Sequence, residues 1–244
     1  MVDSKGETPL IRRHNYLKIF SFLFILLSAG FLISLSIGYA NSSFSDVMDV
    51  VSGRASSSTL LIIGRIRLPR IFASMIGGAS LALAGLLLQT LTRNPLADSG
   101  ILGINAGAGL VVALFVGLSS TISPTLLDTL PLFAMIGGGL TIFLVYWIAR
   151  KKLYGIHPTR LIITGVGISS MLSGIMVSLI SRLDDFKMEY IVQWLSGRVN
   201  GGDWKTIAIY TPLLLIVWLA TYSRCRSLNI MNLNEQTALA LGLN

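Results

Sequence analysis

The chain has 244 residues, 53% hydrophobic and only 12% charged, with a formal net charge of +8. A soluble domain carries about 25% charged residues, and the apolar residues here fall in long blocks, which excludes an ordinary soluble domain. The basic residues flank those blocks instead of interleaving with aromatics on one face, which argues against a nucleic-acid partner, and the single cysteine, Cys225, excludes an internal disulfide or a cysteine metal cluster.

The expected fold is all-α, a polytopic transmembrane helical bundle with six spanning helices. Residues 1–15 read as a polar cytoplasmic tail, 16–223 as the membrane bundle, and 224–244 as a cytoplasmic segment. The first apolar run, 19–40, is too long for a signal-peptide core and has no A-x-A cleavage site after it. Residues 41–60 are rich in Ser, with Phe44, Val47, Met48 and Val51 at helical spacing, so a short interfacial helix is expected there.

The second span is expected to begin at Leu68-Pro69, since proline is tolerated in a first turn where its missing N–H has no partner. It is full of small residues, which let helices approach closely in lipid. A polar turn around Asn94-Pro95 leads to a third span over 99–118. The fourth is expected over 131–149, the fifth from Pro158 to about Ile180, and the sixth over 204–222, with a short amphipathic stretch at 190–195. On this assignment the seven prolines avoid the apolar centres or sit near their ends. The inner segments then hold 11 of the 19 Lys and Arg residues and the outer segments 8, which by the positive-inside rule puts the N-terminus in the cytoplasm.

No acidic, basic or His residue sits in the centre of any span, where ion-coupled carriers need one. There is no G-x-x-x-x-G-K-[ST], so no P-loop for ATP. His14 and His157 stand beside basic residues, far apart in sequence, and read as interface histidines rather than metal ligands. Neither a cofactor nor a catalytic residue is expected.

The stretch 67–109 carries a long ordered pattern: R-L-P-R at 67–70, small residues, Gln89, R-N-P-L-A at 93–97 and L-G-I-N-A-G-A-G at 102–109. It resembles the FecCD-type permeases of bacterial ABC importers for ferric siderophores, haem or cobalamin. Trp194-x-x-Gly197 and Glu235…Ala240-Leu241-Gly242 extend the resemblance over essentially the whole chain. Ser99 departs from it, at a place where the family usually has proline. So does the length, since family members have about ten spans, and the chain is expected to lack the final helices.

The resemblance implies a permease that is not itself an enzyme, in the bacterial cytoplasmic membrane. Its partners would be an ABC ATPase subunit, an extracytoplasmic substrate-binding protein and a second permease subunit, like or unlike. Arg67 and Arg70 would meet acidic residues of the binding protein, with membrane anchoring as the alternative. Glu235, Ala238, Leu239, Leu241 and Gly242 would couple to the ATPase. The translocation path would take Gln89, Asn105 and a stripe on the fifth span, Thr164, Gly167, Ser170, Gly174 and Ser178, which share one helix face. Close helix packing is the alternative for that stripe. A ferric hydroxamate is the expected cargo; cobalamin, haem or an ion-coupled carrier are the rivals.

Overall fold

The computed structural model describes residues 9–37, 44–150, 157–198, 203–231, 233, 237, 240 and 241. Those residues are helical or in turns. They fall into two compact units, Met1–Phe72 and Ala73–Asn244.

In the first unit, α1 covers Pro9–Ser36 and α2 covers Phe44–Val51. Helix α1 therefore starts earlier than the expected tail boundary at residue 15 and ends before residue 40. A single long helix then begins at Ser57, well before Leu68-Pro69. It consists of α3 (Ser57–Leu61), a π-helical segment (Ile62–Arg67) and α4 (Leu68–Thr92), which runs on into the second unit. The expected start at Leu68 fails for a reason that lies in Pro69. In a continuous α-helix its ring would strike the carbonyl four residues back, at Arg65. Widening the turn upstream relieves that clash without ending the helix; Leu68 N–H accordingly reaches back five residues to Ile63 O. Leu35, Val47 and Ile63 form the core of this unit, with Phe31, Val50, Leu68 and Ile71 against them.

The second unit is built around α5, Ile104–Leu118. Its Val112, Ala113 and Val116 are fully buried. At 15 residues it is about 22 Å long, short of the ~30 Å hydrocarbon layer. The expected third span over 99–118 is divided at Gly103, which separates α5 from a 3-10 turn at Ser99–Leu102 and has φ +75°. Only glycine fits there without strain, and a side chain would also come within 3.2 Å of the Ser169 backbone. Asp98 caps the turn by accepting a bond from Gly100 N–H at 3.2 Å, so the helix entry is held with Ser99 where the resemblance leads one to expect proline.

Around α5 stand α6 (Pro124–Ala149), α7 (Pro158–Ile180) and α8 (Asp185–Leu195); α9 (Trp204–Ser223) and α10 (Cys225–Met231) follow. Helix α6 starts seven residues before the expected position, capped by Ser123 Oγ on Leu126 N–H at 3.3 Å, and so carries Pro131 inside it. Pro212 likewise lies within α9, against the expectation that the prolines avoid span interiors. Among the described residues five helices are long and apolar enough to cross a membrane, ending with Trp204–Ser223, and α5 is a shorter sixth.

Backbone-to-backbone approach joins the centre. A Cβ built on Gly137 would fall 2.5 Å from Gly107 O, one on Gly107 would fall 2.8 Å from Gly137 O, and one on Gly165 would fall 2.7 Å from Ile101 O. Helices gain little from apolar burial in lipid, so this contact must come from residues without side chains. The adjacent Thr141 hydroxyl turns back to Gly137 O at 2.8 Å and leaves no polar group unpaired. Gly107→Ala is therefore expected to destabilise the protein by about 1–3 kcal/mol, whereas Gly167→Ala, with open space around its Cβ, is expected to be neutral. Thermal melting of the detergent-solubilised variants separates the two; equal melting temperatures would contradict this packing.

Candidate functional site

Helix α7 has two faces. Gly165, Ile168 and Met176 are buried against the bundle, while Gly167, Ser170, Met171, Gly174 and Ser178 are exposed and Thr164 is half-buried. Ser170 spends its hydroxyl on its own backbone, donating to Val166 O at 2.9 Å. The exposed surface of α7 thus mixes small, weakly polar residues with the large apolar Ile163, Val166, Met171, Ile175 and Val177, with no charge until Arg182. At its C-terminal end an open cavity of about 450 Å³ is lined by Gly174, Ile175, Ser178, Leu179 and Arg182. Gln89, in the last turn of α4, and Asn105, in the first turn of α5, are exposed as well. They lie on other helices and contribute nothing to the lining of that cavity.

Helix α4 ends at the R-N-P-L-A turn in an unusual way. Arg93 takes φ +50°, Asn94 N–H bonds Gln89 O at 3.2 Å and Arg93 N–H bonds Thr90 O at 3.3 Å. This is the double-bonded helix ending that glycine commonly closes, here closed by arginine. Asn94 then holds the turn through its side chain, accepting from Leu96 N–H at 3.0 Å, which explains an asparagine before Pro95.

The two arginines of R-L-P-R are placed differently. Arg67 is 9% exposed; its Nη1 donates to Leu35 O at 2.6 Å, and its Nη2 is buried without a hydrogen-bond partner. Arg70 is exposed, and so is Arg65. Of the expected ATPase-coupling residues, Glu235, Ala238, Leu239 and Gly242 lie outside the described residues. Leu241 is exposed, and its N–H donates to Thr237 O at 3.1 Å.

Helix α8 holds the C-terminal end of α5 by a contact that has no local sequence signal. Lys187 reaches Ser119 O at 2.7 Å and Gly117 O at 3.4 Å, with Asp184 3.8 Å away. Its ammonium satisfies carbonyls at a helix C-terminus and opposes the negative end of that helix dipole. Ile191, fully buried, and the approach of Leu195 to Gly109 seat the rest of α8. The partners are 68 residues apart, and no local pattern links them. A second tie joins α9 to α6, with Lys205 3.1 Å from the Asp128 carboxylate and Tyr210 donating to Asp128 O at 3.3 Å. Among the described residues no group of three or more His, Cys, Asp or Glu gathers into a metal site.

Comparison with known proteins decides the family: the FecCD transport family profile matches residues 26–244. The chain belongs to the FecCD transport family. It is 35% identical over 245 residues to the iron(3+)-hydroxamate import permease FhuG of Bacillus subtilis, covering 99% of this chain and 70% of that protein. The ferric enterobactin permease FepD of Escherichia coli is 33% identical, over 90% of this chain and 65% of its own. The vitamin B12 import permease BtuC of Serratia proteamaculans is 31% identical, over 95% and 66%. A solved metal-chelate-type ABC transporter in an inward-facing conformation superposes with TM-score 0.73 at 28% identity, over 94% of this chain and 69% of that one. The chain spans roughly two thirds of the length of each of these FecCD proteins. The apolar helices and the permease relatives together make it a multi-pass membrane protein.

Two outcomes are expected from this geometry. Lys187→Met strands two carbonyls at the end of α5 and should cost about 1–3 kcal/mol, seen as a lower melting temperature and faster amide exchange in α8; unchanged exchange would contradict the tie. Asp203 caps α9 by accepting from Thr206 N–H at 2.9 Å, and its hydrogen bonds with Thr206 hold its carboxyl below the usual carboxylate range. A depressed folded value stabilises above the unfolded value, near pH 4, and that contribution is lost as pH falls through the folded one. Protection of the first α9 amides should fall in that acid window, and Asp203→Asn should flatten the dependence. A pH profile identical in the two proteins would contradict it.

Proposed function

We propose that this FecCD-family chain is a membrane permease subunit of a bacterial ABC importer and that its cargo is a ferric siderophore of the hydroxamate type. The observation that carries the proposal is the match to an iron(3+)-hydroxamate permease over 99% of this chain. The uncharged exposed surface of α7, with its cavity at Gly174, Ile175, Ser178 and Arg182, supports it: a bulky chelate needs a wide wall that does not grip. Thr164, Gly167, Ser170, Gly174 and Ser178 form that wall in this reading, with Gln89 and Asn105 at the path's margin.

The N-terminus lies in the cytoplasm, in line with the excess of inner basic residues. Energy comes from a separate ABC ATPase, met by the segment 235–242, and cargo from an extracytoplasmic binding protein. A second permease subunit completes the path. An ion-coupled carrier is disfavoured because Asp128, Arg160 and Lys205 stand near the ends of their helices and residues 71–92 of the long helix carry no charge. Cobalamin is the second reading, favoured by the match to a vitamin B12 permease.

Uptake of radiolabelled iron as a ferric hydroxamate, in cells lacking the full-length gene and in cells given it back, tests the proposal. Uptake should be lost and restored, and should stop when cellular ATP is depleted while the membrane potential is held. Uptake that follows the ion gradient instead would contradict the ABC reading. Loss of cobalamin uptake alone would move the cargo to the second reading.

A further inference from the structure

The second half of α6 has two unlike faces. Thr141, Val145 and Ala149 recur at four-residue steps and are buried against the bundle. Leu140, Phe143 and Trp147 recur at three- and four-residue steps, which keeps them on one side of the helix, and they are 60%, 66% and 69% exposed. Arg150 continues that series and is exposed. Its N–H still bonds Tyr146 O at 3.0 Å, so it keeps the helix register. From Leu140 to Arg150 the rise is about 15 Å, half of the ~30 Å hydrocarbon layer. Over the depth of one leaflet the line passes from aliphatic and phenyl side chains to an indole and then to a guanidinium. That is the order of the bilayer itself, since tryptophan favours the interface and arginine reaches the headgroups.

A second cation stands at the same corner. Arg160, exposed in the first turn of α7, donates from Nη2 to Ile148 O at 3.1 Å. Ile148 lies in the last turn of α6, where carbonyls lack helical partners, and the bond uses one of the five N–H groups of the guanidinium. Ile148 is two residues from Arg150, so both arginines serve one helix end. Among the described residues the carboxylate at this end belongs to Asp98, beside the Ala97 that packs with Val145, and it is engaged by Gly100 N–H at 3.2 Å. At the opposite end of the unit cations stand beside carboxylates, Lys187 with Asp184 and Lys205 with Asp128.

We infer that Arg150 and Arg160 form a site for the phosphate of an acidic phospholipid, whose acyl chain lies along Trp147, Phe143 and Leu140. An acidic patch on a soluble partner would match the arginines but leave the apolar line facing water; an amphiphile matches both. Guanidinium groups bind phosphate in two-point geometry, and two cations around one phosphate disfavour the ammonium of a zwitterionic headgroup. The cytoplasmic leaflet as the place of this site rests on the orientation proposed above; the lipid contact rests only on the chain being a multi-pass membrane protein.

The test uses the full-length permease in its assembled importer, reconstituted in phosphatidylcholine vesicles that hold a fraction of lipid brominated near the headgroup end of its acyl chains. Bromine quenches tryptophan on contact, and the difference from a Trp147→Phe variant isolates the signal of Trp147. Brominated phosphatidylglycerol should quench that signal with an apparent preference over brominated phosphatidylcholine of about fivefold or more, the scale of one cation beside an anionic leaflet. Arg150→Gln together with Arg160→Gln, which keeps a donor for Ile148 O, should abolish the preference with the melting temperature unchanged. Arg150→Gln alone should lower it in part, and Arg150→Lys should retain it. Equal quenching by the two lipids in the unaltered protein, or a preference that survives the double variant, overturns the inference. So does the absence of quenching by either lipid, which would mean that protein, the ATPase or another subunit, covers the line. Cargo uptake forms no part of this readout, so the lipid site and the import reading can fail separately.

Discussion

The second unit depends on how closely α5 lies against its neighbours. At Gly107 and Gly137 the two backbones leave no room for even a methyl group, and at Gly165 the same holds against the 3-10 turn before α5. In water such a contact would be one among many apolar contacts. In a bilayer, where lipid is as apolar as the helices, close van der Waals contact is most of what holds helices together. The fully buried Val112, Ala113 and Val116 follow from that approach, as does the seat of Met176 and Leu195 against Gly109.

With α5 fixed, α7 has only one face left to present. Its Gly165, Ile168 and Met176 are consumed by the bundle, so Gly167, Ser170, Gly174 and Ser178 point away from it. Helix α8, secured by Lys187 and Ile191, sets the end of that face, where Arg182 brings the first charge to the cavity rim. Glycine and serine interspersed with Val166, Met171, Ile175 and Val177 make a wall with no charge to grip an ionic cargo. That suits a protein that passes cargo on and leaves recognition to another subunit.

Much of this was legible in the sequence because lipid imposes simple rules. Apolar length located the long helices, and three- and four-residue spacing located the α7 face. The failures have physical causes. Pro69 reads as a helix start because proline is tolerated in a first turn, yet a π-helical turn upstream accommodates it equally well and moves the start back to Ser57. Pro131 and Pro212 mislead in the same way, since helices in a bundle tolerate a lost bond that an isolated helix would not. Gly103 sits in a run of small apolar residues, and nothing local shows that it alone takes a positive φ. The pairing of Lys187 with Ser119 O belongs to tertiary structure and has no sequence pattern. Of the R-L-P-R arginines, the motif implies a shared role; that Arg67 is buried and bonded to Leu35 O while Arg70 is exposed belongs to tertiary structure and has no local pattern.

The most direct measurement is the reactivity of single cysteines along α7 toward a membrane-impermeant maleimide. The background is Cys225→Ser, since Cys225 is the only cysteine present. Cysteines replace Gly167, Ser170, Gly174 and Ser178 on one face and Ile168 and Met176 on the other, in the assembled importer. If the exposed face lines a water-filled path, the first four react, with rates that change when cargo-loaded binding protein and ATP are added, while the last two stay protected. If all six remain unreactive in every state, that face meets lipid or another helix, and α7 does not line the path.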